Sequence, residues 1–348
     1  MVNNEKKYYK LRLSLFTLHD RLRKNSALGI SMANKLVTVI GGTGFVGQTL
    51  VNALLREGYD VQVLSRNASA CKDLFPLSAG GGRLYLRNAD VTQPKTLHDA
   101  FDGSWAVINL VGILFEKGRQ RFSTIHSQCA ERIAKMAKEA SVSRYIHMSA
   151  LGIDNAKGSR YAKTKQTGEK AVSSAFTNAT FMRPSVIFGP GDNFTNQFSQ
   201  MAAMSPVLPL IGGGHTTFQP VYVGDVANAF VTALRNEESQ GKTYELGGPS
   251  VYTFRQILQR ILKTTNRKRL MVPIPWSIAK VIGFFGEFVP TPPLTRDQVQ
   301  LLKHNNVVSK NGLIDLGITP TPMELMLPKY LSGNRKVSTF KSNRHLTT

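Results

Sequence analysis

This sequence predicts an α/β fold, a doubly wound parallel sheet with a small C-terminal lobe, on three observations. Short β-branched runs alternate with amphipathic helical stretches from Lys35 to about residue 250. A glycine turn in "VIGGTGFVG" joins the first such run directly to the first helical stretch. Strands that alternate with helices are joined by crossovers, which makes the sheet parallel and covers both of its faces. Finally, the longest apolar run in the interior, "AVINLVGILF" from Ala106 to Phe115, is about half of what a membrane-spanning helix needs. The apolar segments therefore belong to a core, and a folded chain without a transmembrane segment is expected.

The elements follow in order. "KLVTVI" reads as a strand, and "GQTLVNALLREG" as a helix with Leu50, Val51, Leu54 and Leu55 at helical spacing that stops at Gly58. "DVQVLSRN" and "RLYLRNADV" are the next strands, with "PKTLHDAFDG" a short helix. "WAVINLVG" is a buried strand, "FSTIHSQCAERIAKMAKEAS" a long helix and "RYIHMSALG" the fifth strand. The second half continues with "SRYAKTKQTGEKAVSSA" as helix, "ATFMRPSVIFGPG" as strand and loop, and "FQPVYVGDVANAFVTALRNEE" as a short strand and a helix capped by Asp225. Thereafter prolines and glycines break the alternation, which places a lobe over the carboxyl edge of the sheet. The expected organisation is a basic leader or upstream extension over 1–34, a nucleotide-binding domain over 35–250, the lobe over 251–330 and a basic tail over 331–348.

Composition narrows the partners. The formal charge is +22, concentrated in the opening stretch, in "RQILQRILKTTNRKR" and in a tail that contains no acid after Lys329. Such an excess favours acidic partners, among them an anionic membrane surface, phosphorylated ligands or an acidic assembly. No aromatic stacking platform or nucleic-acid motif interleaves these charges, which disfavours nucleic acid. Cys71 and Cys129 are far apart and form no CxxC or Cys/His cluster, so neither a disulfide framework nor a metal site is expected. Residues before Lys35 are basic, poor in acids and carry leucines at helical spacing, as a mitochondrial presequence does; equally, Met32 is a natural start just ahead of the first strand.

In an open parallel sheet, ligands sit at the carboxyl ends of the strands where the strand order reverses, and the glycine turn lies there. Gly41 allows the tight turn, Gly44 lets the backbone approach a pyrophosphate, and Gly47 packs helix on strand, the pattern of a Rossmann-type dinucleotide site. At the end of the second strand an NAD site usually places an acid and an NADP site a cation. Here Ser65 and Arg66 stand in that place. NADP(H) is therefore expected over NAD(H), the alternative being that Arg66 is a solvated loop cation. Asp90, ending the third strand, either accepts from an adenine amino group or caps the next helix. Tyr161 and Lys165 in "YAKTK" are four apart on a helix and face the same way. A neighbouring ammonium would bring the phenol towards a usable general acid or base, while Ser149 would orient a carbonyl. The bland alternative is a partly exposed tyrosine on an amphipathic helix. "WSIAKVIGFFGEF" is either lobe core or an exposed apolar surface for lipid, quinone or a partner.

The motifs "GGTGFVG", "SALG", "YAKTK", "RPSVIFGPGD" and "FQPVYVGDVANA" together resemble the short-chain dehydrogenase/reductase superfamily, in its extended or atypical branch, from about Lys35 to Pro293. The resemblance implies Tyr161 and Lys165 as a proton-transfer pair, with Lys165 also on the nicotinamide ribose. It further implies Ser149 as the substrate-polarising residue, and Pro184 and Val186 in the segment beside the nicotinamide. Thr43, Phe45 and Val46 in the glycine turn, with Val91 and Val111 after the third and fourth strands, complete the expected cofactor-binding set. "VIGGTGFVG", "INLVGILFE", "HMSALGID" leading into "SRYAKTKQTGEKAV", and "FMRPSVIFGPGDNFTNQF" are similar, more specifically, to the nucleotide-binding accessory subunits of respiratory complex I (NADH:ubiquinone oxidoreductase) and their bacterial homologues. That resemblance implies a tightly held NADPH with a structural or regulatory role, and complex I subunits and an anionic membrane surface as partners. The implied place is the matrix side of the mitochondrial inner membrane, or in a bacterium the cytoplasm or the cytoplasmic face of the inner membrane. The alternative is a free NADP-dependent oxidoreductase or epimerase acting on a small or isoprenoid carbonyl substrate. Two departures from the superfamily pattern are Ile40, where many extended members have threonine, and the missing acid after the second strand.

Overall fold

The computed structural model describes residues 35–75, 81–290 and 292–331. The leader and nearly all of the basic tail lie outside the described residues. Seven parallel strands form the central sheet: β1 (Leu36–Ile40), β2 (Asp60–Ser65), β3 (Leu84–Asn88), β4 (Ala106–Asn109), β5 (Arg144–Met148), β6 (Thr180–Pro184) and, further along the chain, Thr243–Leu246. Their spatial order runs from Thr243–Leu246 through β6, β5, β4 and β1 to β2 and β3 at the far edge. The chain steps from β1 to β2 on one side and later returns to the other side of β1 with β4, so the order reverses there. The expected doubly wound sheet is thus present, with its crevice between the carboxyl ends of β1 and β4.

Strand side chains alternate between two cores, as a pleated strand requires. Val37, Val39, Val63 and Ile108 point to a face covered by α1 (Phe45–Arg56) and a later helix, Val223–Arg235, which contributes Val226 and Phe230. Ile40, Leu64, Val107 and Tyr145 point to the opposite face, covered by α2 (Ala130–Glu139) and α3 (Arg160–Ala175) through Ile133, Ala134 and Val172. A third core forms the lobe, where Ile257, Leu258 and Ile261 of the helix Phe254–Thr264 pack with Phe188, Phe218, Val299 and Leu327. Strand Val207–Ile211 pairs in parallel with Leu270–Ile274 inside this lobe, whereas Leu313 and Leu316 return to the core of the main domain.

Three local expectations are corrected. "PKTLHDAFDG" forms one 3₁₀ turn, Pro94–Leu97, because the chain leaves the helical path at His98, with ψ 133°, and Asp99 follows at positive φ. The long helix after β4 opens with π-type turns over Ser123–Cys129 before α2. Asp225 does not cap its own helix, which begins at Val223; its carboxylate accepts from the Thr321 amide (2.6 Å) and hydroxyl (2.9 Å), anchoring a segment 96 residues away.

The segment "WSIAKVIGFFGEF" inverts the usual surface helix. Trp276–Gly286 turns its small residues, Ala279, Gly283 and Gly286, inward. A Cβ on Gly283 would lie 2.9 Å from the Arg296 amide nitrogen, and one on Gly286 2.4 Å from the Leu294 carbonyl oxygen. The neighbouring segment therefore meets this helix backbone to backbone, and the large side chains are left outside: Ile278, Val281, Ile282, Phe284, Phe285, Phe288 and Val289 are all exposed. Among the described residues no helix is long and apolar enough to cross a membrane.

Candidate functional site

The glycine turn has the geometry an anion site needs. Gly41 has φ +80°, which an L side chain rarely adopts, and its carbonyl accepts from the Gly44 amide at 3.0 Å. Gly44 is the exposed N-cap of α1, which has no side-chain cap and no acid in its first turn. Among the described residues no side chain caps the amide groups that follow Gly44, so they and the positive end of the helix dipole can face a phosphate. Phe45 is half-buried and Val46 is buried, so Val46 offers its backbone to this end while its side chain packs into the core. Thr43 reaches Ser65 at the tip of β2 with a hydroxyl–hydroxyl bond of 2.9 Å, and the adjacent Arg66 is exposed. The crevice is closed from β4: a Cβ on Gly41 would stand 3.6 Å from the Leu110 backbone and from Val111, whose amide donates to Asn109 Oδ1 at 3.0 Å.

Asp90 lies at the end of β3, but its Oδ1 accepts from the amide (2.9 Å) and hydroxyl (2.8 Å) of Thr92, closing a local turn. It does not cap the following 3₁₀ turn, whose N-cap is Gln93. Val91 is buried, and its carbonyl accepts from Cys129 and Arg132.

Across the crevice, Lys165 Nζ donates to the Met148 carbonyl at 3.1 Å, directly beside Ser149 at the end of β5. Gly112 leaves room for it, since a Cβ there would come within 3.3 Å of Nζ. Ser149 is buried and its amide donates to Met182 at 2.7 Å, yet its Oγ has no hydrogen-bond partner among the described residues. A buried hydroxyl without a hydrogen bond costs free energy that a new partner would recover. Pro184 and Val186, on the neighbouring strand end, are held by bonds from Leu151 N and Val221 N to their carbonyls. Tyr161 packs edge-on against His126 (5.1 Å between centroids) and Phe122 (5.9 Å).

Burial shifts Tyr161 and Lys165 in opposite directions. Burial pushes the Tyr161 phenol up to about 12, and the nearby Asp297 carboxylate adds to the rise. The phenol is thus a protonated donor at neutral pH, and a base only well above it. Lys165 is pulled down to about 8 by burial, opposed by Glu169. Its folded value lies below the 10.5 of a free lysine, so between about pH 8 and 10.5 the unfolded chain binds the extra proton and stability rises with pH. Urea unfolding midpoints should therefore rise in the wild-type chain relative to Lys165→Met as the pH goes from 8 to 10. A difference that stays constant across that range would refute this account of Lys165.

Several residues at this site carry no motif. His126 accepts from the Ile113 amide through Nε2 at 3.1 Å, its Nδ1 meets the Thr164 hydroxyl at 3.1 Å, and burial holds it neutral with a pKa down at about 2. A Cβ on Gly168 would lie 1.9 Å from the His126 carbonyl oxygen, so a mid-helix glycine brings α3 onto the π-type turns. That glycine was the one visible signal. Asn306, from the far end of the chain, donates to the Leu151 carbonyl at 2.9 Å and accepts from Ser185 Oγ at 2.6 Å, tying the lobe to the loop after Ser149.

Residues 37–247 match the NAD dependent epimerase/dehydratase family. The chain belongs to this family. The mitochondrial NADH dehydrogenase [ubiquinone] 1 alpha subcomplex subunit 9 of Arabidopsis thaliana is 33% identical to this chain over 327 residues, covering 90% of this chain and 81% of that protein. A ceramide reductase of Caulobacter vibrioides is 32% identical over 206 residues, 58% of this chain and 62% of its own. Among solved structures, the UDP-glucose 4-epimerase of Thermotoga maritima superposes with a TM-score of 0.66 at 16% identity, over 85% of this chain and 97% of that one, a likeness of fold. The family is nucleotide-binding, and the uncapped α1 terminus, the glycine cradle and the orphaned Ser149 hydroxyl fit such a ligand.

Proposed function

We propose that this chain holds NADP(H) as an accessory or assembly subunit of respiratory complex I, where the nucleotide has a structural or regulatory role. The observation that carries the reading is the likeness to a complex I subunit over four-fifths of that subunit's length. Gly41, Thr43, Gly44, Phe45, Val46 and Gly47 would hold the pyrophosphate, and Ser65 with Arg66 the 2′-phosphate of the adenosine ribose. Asp90, Val91 and Val111 would line the adenine side, and Lys165, Pro184 and Val186 the nicotinamide side. Arg66 supports the phosphorylated cofactor, since no described acid is ion-paired with it. Bound nicotinamide would supply hydride chemistry. The raised Tyr161 phenol supports a hydrogen bond donated from Tyr161 to the ligand.

The place of action in this reading is a membrane junction, the matrix side of the mitochondrial inner membrane or the cytoplasmic face in a bacterium. The exposed apolar face of Trp276–Gly286 and its continuation to Val289 supports this, together with eleven Lys and Arg against four Asp and Glu between residues 251 and 331. Phe285 is 64% and Phe288 74% exposed, so replacing both with aspartate removes little packing. The double variant should keep its melting temperature and lose at least about tenfold in binding to vesicles of phosphatidylglycerol and phosphatidylcholine. Unchanged vesicle binding would exclude this face as the membrane contact.

A second reading, a free NADP-dependent reductase of a carbonyl compound, is favoured by the co-occurrence of Ser149, Tyr161 and Lys165 and by the ceramide reductase likeness. One experiment separates the two: purify the native protein from membranes in mild detergent, and identify what co-migrates with it and which nucleotide it releases. Co-migration with complex I and release of NADP(H) is the expected result. A protein that runs alone and turns over NADPH with a defined carbonyl substrate would overturn the first reading.

A further inference from the structure

The helix that carries Tyr161 and Lys165 is capped from outside its own domain. Ser159 is its N-cap and its hydroxyl accepts from the Ala162 amide at 3.1 Å. That same hydroxyl donates to Asp297 Oδ2 at 2.9 Å; the Arg160 amide donates to Asp297 Oδ1 at 2.7 Å and the Tyr161 amide to Oδ2 at 3.2 Å. One lobe carboxylate thus satisfies two of the amide groups that every helix leaves open, and places a full negative charge at the positive end of the dipole. Asp297 cannot drift, because it sits in the short helix Arg296–Leu301, itself started by a capping box between Thr295 and Gln298. Its neighbour Arg296 is bonded to both oxygens of Glu287 and lies over the Phe284 ring at 5.0 Å, on the helix pair that presents the apolar face. Gln300 of the same helix donates to the Lys157 carbonyl at 2.8 Å, and Leu301 packs against Ile153, Ala156 and Ala162. The seam between lobe and domain therefore runs along the segment leading from Ser149 to Tyr161.

We propose that Asp297 is a positioning residue for the nicotinamide half of the nucleotide site: by capping α3 from the lobe it sets where Tyr161 and Lys165 stand against the ligand. This rests on the nucleotide reading above. The glycine turn and Arg66 lie at the ends of β1 and β2 and the start of α1, whereas the Asp297 carboxylate bonds go to Ser159, Arg160 and Tyr161, so the adenine half of the site is expected to be independent of the cap. Affinity for whole and half ligands then separates a positioning role from a general loss of fold.

The test uses the full chain and two probes, NADPH and adenosine 2′,5′-bisphosphate, which carries the adenine half alone. Asp297→Ala is expected to bind NADPH about five- to tenfold more weakly, as loss of a helix cap implies, while adenosine 2′,5′-bisphosphate binds as to wild type. Asp297→Asn, which keeps an acceptor oxygen but loses the charge and one bond, should fall between the two. It carries the test if the alanine variant does not fold. Equal weakening for both probes, or no weakening for either, overturns the proposal. Hydrogen exchange gives a readout independent of nucleotide: the Arg160 and Tyr161 amides should exchange faster in Asp297→Ala while β1 and β4 amides do not. A wild-type chain that binds neither probe would sink the nucleotide reading, with the exchange result still deciding whether Asp297 holds the helix.

Discussion

Gly47→Ala should lower the stability of the chain by about 3 kcal/mol, the cost of forcing a methyl group into a packed backbone contact, and weaken NADPH binding by at least about tenfold. The new Cβ would stand 2.4 Å from the Gly41 carbonyl oxygen and 2.6 Å from the Gly42 Cα and carbonyl carbon. All three are backbone atoms, so no side chain can swing away to relieve the clash. Either α1 withdraws from the turn, which loosens Leu50, Val51 and Leu54 in the core, or the Gly41 carbonyl rotates and loses its bond from Gly44. Both outcomes move the amide groups that face the pyrophosphate. Urea unfolding and a fluorescence titration with NADPH measure the two effects on one preparation. Stability within about 0.5 kcal/mol of wild type, the range of ordinary surface substitutions, would mean that the turn and helix are not packed this way.

Arg66→Asp should change which nucleotide the chain prefers. NADPH binding is expected to fall by roughly ten- to a hundredfold, the worth of one charge-assisted hydrogen bond to a phosphate. NADH binding should be held or improved, because a carboxylate at the tip of β2 can accept from the ribose hydroxyls. Arg66 is exposed and Ser65 is occupied by its bond to Thr43, so the substitution disturbs no core packing. Paired titrations with NADPH and NADH decide it. An equal change for both nucleotides would show that Arg66 is an ordinary loop cation and leave the 2′-phosphate without a reader.

Much of the fold was legible because its signals are local. β1, α1 and β2 follow from β-branched runs, helical spacing of Leu50, Val51, Leu54 and Leu55, and glycines at 41, 44 and 47, all within about thirty residues. Asp225 misled because an acid near a helix start reads as a cap in one dimension, whereas its partner, Thr321, is 96 residues away. Asp90 likewise had two readings that sequence spacing could not separate; the helix-capping one fails because Gln93 is the N-cap, and a short turn to Thr92 takes Oδ1, one of its two carboxylate oxygens.

The amino-acid sequence by itself determined the parallel sheet, the glycine turn at its switch point, and the presence of Ser149, Tyr161 and Lys165 near one edge, since periodicity and short spacings encode these directly. Tertiary structure alone decided three things. The phenol of Tyr161 is raised above its ordinary range, because a pKa depends on what is packed around the group, here burial and Asp297. The apolar side chains after Trp276 face outward, because Ala279, Gly283 and Gly286 take the inner face of that helix. The helix bearing the candidate pair is capped by a carboxylate 136 residues from Tyr161, a contact that exists only once the lobe has folded back onto the sheet edge.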